Sequence, residues 1–176
     1  MYRKKDGKIF GVLNDYNLAI FKSNTTPSSK TRTGTKPFMA IDLLGQNPDV
    51  HRYRHDLESM YYVIVFVTTR YHDSKEIADP PLQEWVDLGE NYLKSTKVMF
   101  ITETPPPATP SYVTFDVWTE RMRDPLIQGR ISHTRHLGEV RRMERVGNTP
   151  PVFDVETLNG HFSFETFRAI LDYPVA

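Results

Sequence analysis

Just after His55 the chain enters its longest apolar run, Met60 to Val67, and any fold that forms has to bury it. The run is far short of the roughly 18 residues that span a bilayer, so it belongs to a core. Two local signals disagree about its shape. Tyr61-Tyr62-Val63-Ile64-Val65-Phe66-Val67 is aromatic and β-branched, which by propensity favours a strand. Asp56-Leu57-Glu58-Ser59 ahead of it reads as a helix start, with Asp56 accepting from the first free N–H groups and Glu58 at the positive end. Propensity yields to burial, and a helix apolar on all sides is what the middle of a helical domain contains.

The rest of the composition narrows the class. At 176 residues the chain is sized for one domain. Lys plus Arg and Asp plus Glu both number 22, so no long-range field steers it toward nucleic acid or an anionic membrane. With no cysteine, thiol catalysis, disulfides and thiolate metal sites are all excluded. Met1-Tyr2-Arg3-Lys4-Lys5 has no apolar stretch behind it of the secretory kind, which points to an intracellular protein, cytoplasmic or nuclear.

Along the chain, Asp6-Gly7 between Met1 to Lys5 and Lys8 to Asn14 predicts a small hairpin, because both turn residues tolerate positive φ. Residues 22–37 are rich in Ser and Thr, with Pro27, Gly34 and Pro37, and predict a long exposed loop. Pro80-Pro81 predicts a helix with prolines in its first turn, and Thr104 to Pro110 an extended spacer. Trp118 to Met122, a segment around Val140, and Phe164 to Leu171 predict short helices.

Three stations carry chemistry. Asn14-Asp15-Tyr16-Asn17-Leu18-Ala19 delivers one carboxylate at a strand end, where a hard cation such as Mg²⁺ could use it, although an Asp there is more often a turn residue. Thr33-Gly34-Thr35-Lys36-Pro37-Phe38-Met39-Ala40-Ile41-Asp42 follows, and then His55-Asp56-Leu57-Glu58-Ser59-Met60-Tyr61. In this order the trio resembles the C-terminal lobe of a protein kinase, and most closely the fungal-type protein kinase family. By that resemblance Asp15 is the Mg²⁺ ligand of the D-F-G segment and Thr33, Gly34, Thr35 and Phe38 are the substrate-docking loop. Asp42 takes the carboxylate position of the A-P-E motif, and Asp56 stands in the central apolar helix, where its family role is structural. The resemblance settles the run at Met60 as helix. It implies a mainly α fold, a kinase-like C-lobe fragment with a small N-terminal β-hairpin. Residues 1–21 would be the hairpin and metal-Asp segment, 22–42 the activation-segment-like loop and 55–176 the helical part of one partial domain. The resemblance says little about residues 100–176 beyond their being helical.

The departures bear on activity. Asn17 stands where a glycine is usual, and Ile41-Asp42 replaces Pro-Glu. Fourteen residues precede Asp15, and they hold no Gly-rich loop, strand lysine with its glutamate, catalytic-loop Asp or second-metal Asn. Met1 therefore reads as an internal methionine used as a start. The expected product is a truncated, non-catalytic, pseudokinase-like chain derived from an ATP-dependent Ser/Thr kinase. The alternative is an active kinase, if a longer product or a partner supplies the missing parts. Mg²⁺ and ATP belong to the family, and this chain alone is expected to bind neither. The expected partner is a protein or peptide, not nucleic acid or membrane, with association through exposed apolar surface.

Other constellations have plainer readings. His133 and His136 lack a cysteine or acidic ligand in register and read as surface histidines rather than a zinc site. Residues 130–145, rich in arginine, read as a solvated helix face. Trp85, Tyr92 and Trp118 read as core.

Overall fold

A computed structural model describes residues 2–11 and 34–172, and the chain divides into two compact units, residues 1–33 and 34–176. In the first, β1 (Tyr2–Lys5) pairs antiparallel with β2 (Lys8–Gly11). The turn between them places Asp6 at φ 50° and Gly7 at φ 74°, the left-handed pair that a two-residue hairpin demands. Asp15, Thr33 and the Ser/Thr-rich residues 22–33 lie outside the described residues.

The second unit is mainly helical. Helix α1 (Tyr53–Arg70) contains the apolar run, as the resemblance required. It starts earlier than the sequence suggested. The N–H of Arg52 donates to Nδ1 of His55 at 3.1 Å, so a histidine takes the reaching-back role of a capping-box glutamate. Asp56 is thus one turn inside the helix and does not cap it. Nor is the helix covered all round: Tyr61, Tyr62 and Val65 are buried, but Met60, Val63 and Val67 are 47%, 38% and 36% exposed along one stripe.

Tyr71 leaves α1 in extended conformation and starts a tight hairpin, β3 (Tyr71–His72) with β4 (Lys75–Glu76). Buried Arg70 braces it, donating to Glu76 at 2.6 Å and to the Pro81 carbonyl at 2.7 Å. Helix α2 (Glu84–Asp87) is a single turn that begins after Pro80-Pro81 rather than on them, because Leu82 sits at φ 61°. Helix α3 (Glu90–Thr102) ends at the extended Thr104 to Pro110 spacer, and a 3₁₀ turn (Pro110–Phe115) leads into α4.

The two short helices expected around Trp118 and Val140 are one helix, α4 (Asp116–Arg145), which runs through Pro125. An interior proline normally breaks a helix. Here Met122 and Leu126 on either side of it are fully buried, and that packing outweighs the lost backbone bond. Gly129 lets the helix approach the chain at Leu158: a Cβ built on it would lie 2.8 Å from the Leu158 side chain. Helix α5 (Phe164–Leu171) has the expected bounds, and Ser163 caps it by accepting the Thr166 N–H at 3.2 Å.

The core gathers Ile41, Leu44, Tyr62, Trp85, Leu93 and Leu126 around one side of α1, with Trp85 edge-on to both Tyr62 and Phe100. Burial of side chains of this size contributes about 1.5–3 kcal/mol each. Trp85 is core as expected, Trp118 is half-buried, and Tyr92 is 73% exposed and not core.

Candidate functional site

The segment Gly34 to Leu44 lies across this core as two consecutive 3₁₀ turns, Lys36–Phe38 and Ile41–Leu43. Pro37 suits the first turn because its fixed φ matches and its missing N–H has no partner to lose there. Gly34 opens the segment at φ 138°, a value side-chain-bearing residues rarely adopt. Gly34 and Thr35 are exposed and Lys36 to Phe38 half-buried, while Met39 to Ile41 are buried. The result is a short strip of surface standing on a buried root.

Five attachments fix that root. The Lys36 ammonium donates to the Leu88 carbonyl at 2.9 Å. The Phe38 ring stands edge-on to Phe66 of α1 at 5.3 Å. Lys97 Nζ, on α3, donates to the Met39 carbonyl at 2.6 Å, and the Ile41 N–H donates to Glu58 Oε1 at 2.8 Å. Last, Asp42 accepts from Arg54 at 2.9 Å and from Arg130 at 3.1 Å.

The electrostatics of the last attachment favour a locked pair. Burial works against the Asp42 carboxylate, but Arg130 and Arg54 overcome it and bring its pKa down to about 2. Arg54 is itself buried and donates on to the Val155 carbonyl at 2.8 Å, while Arg52 reaches Glu156 at 3.1 Å, so the knot also ties in the stretch before α5. His55, beside this knot, is kept neutral by burial and by the Arg54 charge, with its pKa lowered to about 3.

Sequence reasoning gave Arg130 a solvated face, whereas it is an ion-pair partner of Asp42. Nor are His133 and His136 merely exposed: both stack on Phe153, at 5.4 and 4.7 Å. Glu58, whose sequence position suggests only a charge near the helix start, is buried under the strip. Lys97 went unnoticed. Its signal was its spacing, four residues after Leu93 and four before Ile101, on the apolar face of α3. Asp56 sits apart from the strip's attachments, with its side chain 70% exposed and paired to His51 at 3.1 Å.

Asp42, Asp49 and His55 present ligand atoms within 4.8 Å of one another. Three guanidiniums already neutralise the two carboxylates, Arg54 and Arg130 on Asp42 and Arg52 and Arg54 on Asp49, so a divalent cation would have to displace them. The donor set does not fit one. Elsewhere, Ser111 Oγ lies 2.7 Å from His72 Nδ1 and 2.9 Å from Asp73 Oδ1 on open surface. The hydroxyl donates to that Asp73 carboxylate and accepts the Asp73 N–H at 3.0 Å, which makes it a brace for the β3–β4 turn.

The strip, the Glu58 that holds it and most of α1 fall within residues 1–68, which match the family described as Fungal protein kinase. Over that segment the chain is similar to the fungal protein kinase family. No curated protein and no solved structure matches the chain. Three of the strip's partners, Leu88, Lys97 and Arg130, lie beyond the matched segment. Among the described residues no helix is long and apolar enough to cross a membrane.

Proposed function

We propose that this polypeptide is a peptide-docking lobe of the fungal protein kinase type, one that holds a protein partner along Thr33 to Phe38 and transfers no phosphate by itself. The observation that carries this reading is the strip itself: an exposed edge at Gly34 and Thr35, set on a root whose backbone is held by buried charges. A surface whose shape is fixed before binding spends little free energy on ordering when a peptide arrives.

In a complete kinase domain Asp15 would be the Mg²⁺ ligand at the ATP phosphates, and phosphoryl transfer would go to Ser or Thr hydroxyls of the docked chain. That second reading is favoured by the family match over residues 1–68. It requires a strand lysine, a catalytic-loop Asp and a second-metal Asn supplied by a longer product or a partner. Transition-state stabilisation in this chemistry is almost wholly electrostatic positioning, so the 176 residues alone keep little of it. The protein is further proposed to be intracellular and to associate through the stripe of Met60, Val63 and Val67 on α1.

Incubation with labelled ATP, Mg²⁺ and Ser/Thr peptides tests the reading. No label above background is expected. Label that disappears in Asp15→Ala would establish the second reading instead.

A further inference from the structure

The core beneath the strip contains two opposite charges that a purely apolar interior would do without. Lys97 is fully buried, and its ammonium sits 3.7 Å from the centre of the Tyr62 ring and 4.9 Å from that of Trp85. Glu58, also buried, accepts the Tyr62 hydroxyl at 2.8 Å. One tyrosine therefore touches both ions, its face against the cation and its hydroxyl on the anion. Each ion then takes one backbone group of the strip's root: Lys97 the Met39 carbonyl at 2.6 Å, Glu58 the Ile41 N–H at 2.8 Å.

We propose that Lys97, Tyr62 and Glu58 form a buried relay that positions the strip. By this assignment they are positioning residues, setting where Thr35 to Phe38 stands for a docking partner without touching that partner. The proposal deepens the docking reading and rests on it for its biological meaning.

Three arguments favour a dedicated device over incidental packing. Burying a charge is costly unless it is hydrogen-bonded and paired, and apolar residues of similar volume at both sites would serve stability at least as well. What they could not supply is direction. A carbonyl and an N–H two residues apart demand one donor and one acceptor, and the relay offers that polarity in that order, so a slip of the strip costs each ion its backbone partner. The relay also spans α1 and α3, so strip position is coupled to how those helices pack. The lowered pKa of Lys97, about 7 because of burial and only partly restored by the Glu58 charge, agrees with an ammonium held at a cost.

Amide hydrogen exchange of the whole chain, followed residue by residue by NMR, tests the relay in Lys97→Met. The Ile41, Leu43 and Leu44 amides should exchange at least tenfold faster, with the α4 amides around Met122 changing far less. The Met39 carbonyl resonance should move as its charged donor is lost. Leu126→Ala serves as the control for general destabilisation and should speed core amides together without singling out the strip. If Lys97→Met fails to fold, Tyr62→Phe keeps the ring under the ammonium and removes only the hydroxyl from Glu58; the Ile41 amide should then exchange several-fold faster. Strip amides that are unchanged, or that change in step with all the others, would overturn the proposal. Faster strip exchange in a protein whose wild type binds no peptide would uphold the relay and count against the docking reading.

Discussion

Asp42 Oδ1 accepts a hydrogen bond from Arg130 Nη1 at 3.1 Å, across 88 positions of sequence. Its other oxygen accepts from Arg54 at 2.9 Å, so one carboxylate fastens the end of the strip to the start of α1 and the middle of α4.

Removing that carboxylate should be expensive. Asp42→Ala leaves the buried Arg54 and half-buried Arg130 short of an anion, and breaking a buried pair from one side costs on the order of 3–5 kcal/mol. Urea unfolding of the variant against wild type at neutral pH reads this directly. The same pair predicts acid sensitivity. Asp42 titrates lower in the folded chain, at about 2, than unfolded, so its contribution is whole above its unfolded pKa and is lost as pH falls from about 4 toward 2. The loss over that window should be about 2 kcal/mol in wild type and absent in Asp42→Ala.

Lys97 predicts a slope of the same sign in a higher pH window. Burial lowers its folded pKa to about 7, below the unfolded value, so between about 7 and 10 the unfolded chain binds the extra proton. Stability should therefore rise with pH through that window, and Lys97→Met should flatten the rise. Urea midpoints taken from pH 6.5 to 9.5 on both proteins check the sign.

Gly129→Ala sets helix propensity against space. Alanine would favour α4 by about 1 kcal/mol, but its Cβ would meet Leu158 at 2.8 Å, and Leu158 is held at φ 53°. Overpacking of this kind costs about 1–3 kcal/mol, so the variant should melt lower than wild type. Gly138→Ala on the same helix has nothing within 4 Å to meet and should melt slightly higher.

Asp56→Ala should change stability by less than about 1 kcal/mol, because an exposed pair such as His51–Asp56 contributes little. A large loss in a thermal melt would mean that Asp56 has buried donors after all.

Legibility in the sequence followed how local each determinant was. The Asp6-Gly7 hairpin and the Phe164–Leu171 helix were readable because turn chemistry and apolar spacing act within a few residues. The shape of the Met60 to Val67 run was not readable from propensity, since β-branched residues pull toward strand, and it took the ordered motifs to place it in a helix. Pro125 hid the unity of α4, because the burial of Met122 and Leu126 that holds the helix together comes from distant residues. At the site, Thr35, Phe38 and Asp42 were legible as a group. Arg130 and Lys97 were not, because a charged residue on a helix is ordinarily solvated and only the fold brings these two beneath the strip.

The docking reading is tested most directly by titrating isotope-labelled protein with Ser/Thr-containing peptides and following backbone resonances. Shifts concentrated at Gly34 to Phe38 are expected, saturating with peptide and abolished by Phe38→Ala while the rest of the spectrum stays folded. No saturable shift from any peptide of a diverse set, or shifts centred on another surface, would contradict it.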